Sequence, residues 1–245
     1  MIYNQNYNIK TQKNIDLIFA DPPYFLQLPW NGKRLKRANG TEVIPVEDDR
    51  DKFADYQEYD QFCLDRLKEC QRVLKPTGSM WIIWMYHNVF RVGKIMQDLW
   101  IRFLNDVIRV KKDALPNMNG RRMTNNHETI IWWVKDKNCK KYTYNYDLMK
   151  QLNGWVQLKD TDWSFWLCRW NERLKDENGI KAHPTQKPLK LIQQIILASS
   201  NEWDIVLDPF FWTGTTWFVA KVLKRNRIWI EKLEKYVKIA QQRIW

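Results

Sequence analysis

The chain has 245 residues, 44% of them apolar, which suits one α/β domain or one domain with an inserted lobe. Its 40 basic residues against 28 acidic ones leave a net charge of +12, and such an excess favours a polyanionic partner, nucleic acid first. No apolar run is long enough to span a membrane. The four cysteines form no CxxC pair and histidine is scarce, so neither a metal site nor a disulfide scaffold is expected.

Ile15 to Ala20 reads as a short buried strand. It ends at Asp21-Pro22-Pro23-Tyr24, where two prolines force the chain to turn. Residues 25–41 read as a loop with a basic cluster at Lys33, Arg34, Lys36 and Arg37. An acidic stretch follows, Glu47 to Asp60, and then Phe62, Leu67, Cys70, Val73 and Leu74 recur at helical spacing. Lys75-Pro76-Thr77-Gly78 predicts the helix stop, and Ser79 to Ile83 the next strand. Arg91 to Leu99 predicts a helix and Phe103 to Val110 a strand. Residues 111–180 are basic, aromatic and weakly periodic, with His127 to Val134 their one clear strand. Helices are expected over Leu189–Ala198 and Leu233–Ile244, and strands over Asp204–Leu207 and Arg227–Glu231. Alternation of this kind predicts a mainly parallel sheet covered on both faces.

Two segments carry chemistry. Asp21-Pro22-Pro23-Tyr24 offers a carboxylate, a fixed carbonyl and an aromatic face directly after a strand, where ligand sites of α/β sheets open. That set suits an amino group on a planar base; the plain alternative is a rigid turn with a buried tyrosine. The second segment, Asp208-Pro209-Phe210-Phe211-Trp212-Thr213-Gly214-Thr215-Thr216, joins a strand to a helix N-terminus. Free N–H groups there can cradle a polar cofactor, and Glu231, at the end of the next strand, is placed to bind a ribose. The alternative is an ordinary strand-to-helix turn.

Together, and in this order, the two segments resemble the β-group of DNA amino-methyltransferases, where D-P-P-Y precedes the cofactor motif in a circularly permuted arrangement. The likeness spans nearly the whole chain. It includes Phe25-Leu26-Gln27-Leu28, Arg72 to Pro76, Tyr86 to Gly93, Arg121 to Thr129, Glu172 to Asp176 and His183-Pro184-Thr185-Gln186-Lys187-Pro188. It is strongest to the cell-cycle-regulated adenine methyltransferases, which act on GANTC, and to their restriction-system relatives.

The resemblance implies a Rossmann-like fold and S-adenosylmethionine as cofactor. It also implies duplex DNA as partner, with the target adenine flipped into the pocket. In that scheme Asp21 and the Pro22 carbonyl hold N6, Pro23 stiffens the turn and Tyr24 stacks on the ring. Asp208, Pro209, Phe210, Phe211, Thr213, Gly214 and Thr215 hold the methionine end, Glu231 the ribose, and Thr185, Gln186 and Lys187 line the same pocket. Cytosine-N4 enzymes more often carry serine at the first motif position, so adenine is favoured. Arg121, Arg122, Asn125 and Asn126 suit phosphate or base-edge contacts. His87 and Asn88 could reach the flipped nucleotide, or simply hold a loop. Residues 1–245 are expected to form one methyltransferase domain, with 111–180 a DNA-facing lobe and without the C-terminal recognition domain of longer relatives. A homodimer, a cognate restriction endonuclease and a bacterial or phage cytoplasm, at the nucleoid, complete the expectation.

One departure stands out. The chain has 15 Trp and only 8 Gly, where about 17 glycines are usual for this length. Trp212 stands at a glycine of the family motif, and Trp84, Trp100, Trp155, Trp170, Trp203, Trp217 and Trp229 repeat the misfit. The expectation is a set of glycine positions translated as tryptophan, as happens when UGA is read with the wrong genetic code. A decayed enzyme, its cofactor loop blocked by Trp212, is the alternative.

Overall fold

The computed structural model describes residues 2–3, 14–26, 35–36, 42–43, 52–114, 121, 123–155, 160–168, 172–177, 179, 181–183 and 185–244. The elements in chain order are β1 (Ile2–Tyr3), β2 (Ile15–Ala20), β3 (Leu35–Lys36), β4 (Glu42–Val43), α1 (Tyr56–Val73), β5 (Leu74–Trp84), α2 (Val89–Asp98), β6 (Arg102–Lys111), β7 (His127–Val134), α3 (Tyr146–Leu152), β8 (Asp162–Phe165), α4 (Leu189–Ser199), β9 (Ile205–Asp208), α5 (Thr215–Val222), β10 (Asn226–Glu231) and α6 (Glu234–Ile244).

Eight strands form one sheet in the order β1-β10-β9-β2-β5-β7-β6-β8. The run β10-β9-β2-β5 is parallel throughout. β7 runs antiparallel to both β5 and β6. The fold is thus α/β and Rossmann-like. Its centre is the β2–β9 pair, from which the chain leaves in opposite directions, to β5 on one side and β10 on the other. A switch of this kind opens a crevice at the strands' carboxyl ends. Both sequence motifs begin there, Asp21 just past β2 and Asp208 as the last residue of β9.

Local chemistry explains the elements. Asp55 caps α1 by accepting the Gln57 and Glu58 amides at 2.8 and 2.9 Å. The stop predicted at 75–78 proves to be part of β5: Leu74 pairs with Ile15, then the register jumps to Ser79 opposite Leu17. Residues 75–78 bulge, and Gly78 lies so close to β2 that a Cβ would meet the Ile15 carbonyl at 2.6 Å. Lys75 and the Ile205 amide both bind Asp16, at 2.6 and 2.9 Å, tying β5 and β9 to β2. The 111–180 stretch supplies β7 to the middle of the sheet and also α3 and β8. In the core, Trp81 stacks on Trp132 at 4.9 Å and on Trp163 at 5.5 Å, and its indole N–H donates to Ser199 Oγ at 2.9 Å.

Other tryptophans sit differently. Six non-glycine residues among those described have positive φ: Phe25, Trp100, Trp155, Trp203, Trp212 and Lys224. Trp203 is the third residue of the 201–204 turn, closed by the Asp204 amide on the Asn201 carbonyl at 3.2 Å. A turn with φ > 0 only at this position is a glycine turn. Left-handed backbone costs a side-chain-bearing residue about 1–2 kcal/mol, and glycine gives back about 0.5–1 through its freer unfolded chain. Trp203→Gly is therefore expected to raise stability by about 0.5–1 kcal/mol, read as a higher urea midpoint; a lower midpoint would contradict the strain.

Candidate active site

Asp21 and Tyr24 are buried at the end of β2. The Tyr24 hydroxyl donates a short hydrogen bond to Asp21 Oδ1. Lys187 Nζ lies 2.8 Å from Asp21 Oδ2 and donates to the Tyr24 hydroxyl at 3.1 Å. Burial pushes the Asp21 carboxyl above its ordinary range, while the Lys187 ammonium and the Tyr24 hydroxyl draw it back. The loop is braced from outside. Tyr59 donates to the Pro23 carbonyl at 3.2 Å, and the Asn88 amide donates to the Tyr24 carbonyl. Phe25 follows with φ +47°, a strained conformation of the kind held at functional loops.

Asp208 faces this loop across the crevice. It is buried and accepts the Phe210 amide at 3.0 Å. Burial raises its carboxyl to about 7, against hydrogen bonds from Thr216 and Phe210 that lower it, with Asp21 and Glu231 adding to the rise. The pocket between the loops is lined by Asp21, Lys187, Asp208, Phe210, Thr213 and Thr215, with Thr185, Gln186 and Phe211 beside them. These expected residues do converge. Phe19, His183, Ile192 and Thr216 also line it; His183 was visible only as the start of the H-P-T-Q-K-P run. Pro209, Gly214 and Glu231 are not on the lining. The Glu231 carboxylate is buried and receives the Trp212, Lys232 and Leu233 amides at 3.1, 2.8 and 2.9 Å.

Trp212 occupies the crevice. Its indole N–H donates to the Asp21 carbonyl at 2.7 Å, and its ring lies 4.5 Å from His183. The space left is about 20 Å³, room for about one water. The donor set suits a polar nucleoside cofactor, but the space does not.

The expected nucleic-acid residues are less gathered. Arg121 and Asn126 are exposed and Asn125 is half-buried, while Arg122 lies outside the described residues. His87 is half-buried, its ring 3.8 Å from that of Tyr86. Asn88 is 1% exposed and its amide braces the Tyr24 carbonyl, which matches the loop-holding role of the two expected for it.

A second buried cluster backs the site. Arg109 on β6 and Glu128 on β7 are both buried and ion-paired. Burial alone would raise the Glu128 carboxyl, but Lys187, Arg109 and Lys111 outweigh it and bring it down to about 2. Removing one partner of a buried pair strands the other charge. Glu128→Ala is expected to lose about 3–5 kcal/mol of stability by urea unfolding at pH 7. The pair's contribution is complete above the ordinary carboxyl value of 4.5 and is lost as pH falls toward 2. A variant as stable as the parent at pH 7 would contradict it.

The model of the DNA methylase family (N6_N4_Mtase) matches residues 15–242. The chain belongs to this family. Over 95% of its length the chain is 52% identical to the type II methyltransferase M.HinfI of Haemophilus influenzae, and it spans 63% of that protein. It is 39% identical to the type II methyltransferase M2.DpnII of Streptococcus pneumoniae over 95% of this chain and 83% of that one. The M1.HpyAVI–SAM crystal structure superposes with a TM-score of 0.66 at 24% identity, covering 94% of this chain and 89% of that one. The PvuII cytosine-N4-specific DNA methyltransferase does so with 0.73 at 22%, covering 97% and 82%. At these identities the two structures establish the fold. Among the described residues, no helix is long and apolar enough to cross a membrane.

Proposed function

We propose that the chain is a DNA methyltransferase that places a methyl group on adenine N6 in duplex DNA, with S-adenosylmethionine as donor. The observation that carries this reading is the meeting of Asp21-Pro22-Pro23-Tyr24, past β2, with the Asp208 loop, past β9, at the switch point of the sheet. The M1.HpyAVI fold was crystallised with the same cofactor, which supports it. S-adenosylmethionine supplies an electrophilic methyl group when bound. Asp208, Thr213, Thr215, Phe210 and Phe211 would hold it, with Thr185, Gln186 and Lys187 alongside, once the Trp212 indole is out of the way.

The protein's own part is positioning. A flipped adenine presents two N6–H bonds. Asp21 accepts one and the Pro22 carbonyl the other, which turns the N6 lone pair toward the cofactor side of the crevice. To do so Asp21 exchanges its bond from the Tyr24 hydroxyl for one from the base, and the Tyr24 ring becomes the stacking face. Lys187 holds the carboxyl group in place and favours its ionised form against burial. No covalent intermediate with the protein is required.

The finer reading is the adenine of GANTC, the site of the subgroup that the sequence resembles. The excess of basic residues and the 111–180 stretch, with Arg121, Arg122, Asn125, Asn126 and His87, serve the duplex. A homodimer, a cognate endonuclease, and action in the cytoplasm, at the nucleoid, fit this role. The test uses methyl-labelled S-adenosylmethionine with duplexes that carry or lack GANTC and with single-stranded RNA, for both the chain as written and its Trp212→Gly variant. Label on the GANTC duplex alone supports the reading. Label on all duplexes overturns the site, label on RNA overturns the substrate, and no label with either protein overturns the activity.

A further inference from the structure

We infer that Trp100, Trp155, Trp203 and Trp212 are glycine positions, carried by UGA codons that the source organism decodes as glycine, and that glycine at 212 creates the cofactor pocket. The argument is one of backbone conformation. Left-handed φ is rare for any residue with a Cβ and rarer for bulky ones. Yet of the six described non-glycine residues with positive φ, four are tryptophans, although tryptophan makes up only 15 of the 245 residues. All four are among the tryptophans that the sequence singles out as misfits. The other described tryptophans, among them the stacked Trp81, Trp132 and Trp163, have ordinary φ.

Two of the four sit at a position where a defined motif calls for glycine, and the other two share their left-handed backbone. Trp100 follows α2, with its own amide on the Gln97 carbonyl at 2.9 Å and the Ile101 amide on the Met96 carbonyl at 3.3 Å. This is the Schellman pattern, and Trp100 (φ +56°) is at its glycine position. At the end of α3 the glycine position of the same pattern is already held by Gly154 (φ +73°), whose amide meets the Gln151 carbonyl at 3.0 Å. Trp155 (φ +63°) comes one residue later, its amide on the Lys150 carbonyl at 2.9 Å, and is marked by its own left-handed backbone. Trp203 (φ +71°) is at the glycine position of its turn. Nor do these side chains earn their place by packing: Trp100, Trp155 and Trp203 are 68%, 58% and 68% exposed. An indole on a surface turn stabilises little and is strained there.

Trp212 (φ +47°) adds the functional consequence. Its indole reaches from the Asp208 loop to the Asp21 carbonyl and so bridges the two sides of the crevice. Without it, His183, Asp208, Thr213 and the Asp21 loop would face one open space, where about 20 Å³ is now left. Trp84, Trp217 and Trp229 have ordinary φ. Trp84 is buried in β5, Arg227 lies 4.2 Å over the Trp217 ring and Trp229 stacks on Phe211 at 4.5 Å. Backbone geometry makes no demand for glycine at these three, and Trp170 lies outside the described residues.

The pocket half of the inference rests on the proposed cofactor; the codon half does not. Two experiments separate them. The first reads the codons of the gene and the peptide masses of the protein isolated from its own organism. UGA codons with glycine in the peptides at 100, 155, 203 and 212 are expected; UGG codons, or tryptophan in those peptides, overturn the inference. The second titrates the chain as written and its Trp212→Gly variant with S-adenosylhomocysteine, after thermal melts have shown both to be folded. At least tenfold tighter binding by Trp212→Gly is expected. Equal binding overturns the role of residue 212. Glycine codons with no binding by either protein leave the decoding standing and overturn the cofactor reading instead.

Discussion

Asp21→Ala, made on the Trp212→Gly background, is expected to lower methyl transfer by about 10²–10⁴-fold, the range of a positioned proton-handling group, while leaving duplex binding within about twofold. The basis is geometric. Asp21 is buried at the mouth of β2, and its carboxylate is the acceptor for both the Tyr24 hydroxyl and the Lys187 ammonium. It has no role in holding phosphates, so binding and chemistry should separate. Lys187→Met tests the same carboxylate by a pH profile. Burial already raises the Asp21 carboxyl, and Lys187 is the largest influence against that rise. Without the ammonium the carboxyl rises further, so the acidic limb of activity should move to higher pH. An unmoved limb with reduced activity would assign Lys187 to packing alone. Retained activity in Asp21→Ala would remove Asp21 from the mechanism.

Asp208→Asn is expected to make the protein more stable at alkaline pH and, on the Trp212→Gly background, unable to bind cofactor. In the folded chain burial raises this carboxyl from 3.8 to about 7. A carboxyl whose folded value lies above its unfolded one binds protons more tightly when folded. Stability from that difference is present below pH 3.8 and declines as pH rises to about 7, where the loss is complete. The loss is on the order of 4 kcal/mol, about three pH units at about 1.4 kcal/mol per unit. An asparagine escapes it. Urea unfolding should show Asp208→Asn ahead of the parent at pH 8, with the two converging near pH 4. A variant less stable than the parent at pH 8 would contradict the account.

Much of the site was legible in the sequence because it is local. Asp21-Pro22-Pro23-Tyr24 and the Asp208 loop each follow a strand that its apolar run betrays, and the structure sets the two strands side by side. What was not legible is long-range. Lys187 reads as one more lining residue of the cofactor pocket, and only the fold brings its ammonium onto Asp21. Arg109 lies in an ordinary-looking strand until β7 sets Glu128 opposite it. For Asn88 the sequence leaves two readings, a nucleotide contact or a loop brace, and only the fold puts its amide on the Tyr24 carbonyl. In the fold, Lys75-Pro76-Thr77-Gly78 carries every sign of a break, and a parallel strand absorbs it as a bulge. Helix α3 and strand β8 are too short for periodicity to reveal. The tryptophan anomaly runs the other way. Composition raised it, the family motif located it, and φ at four positions supplied the physical reason.

The most direct measurement of the central claim is the identity of the methylated nucleoside. Duplex DNA methylated by the Trp212→Gly variant is digested to nucleosides and resolved by chromatography with mass detection. N6-methyldeoxyadenosine as the sole new product is the predicted result. N4-methyldeoxycytidine, or no methylated nucleoside at all, would contradict it.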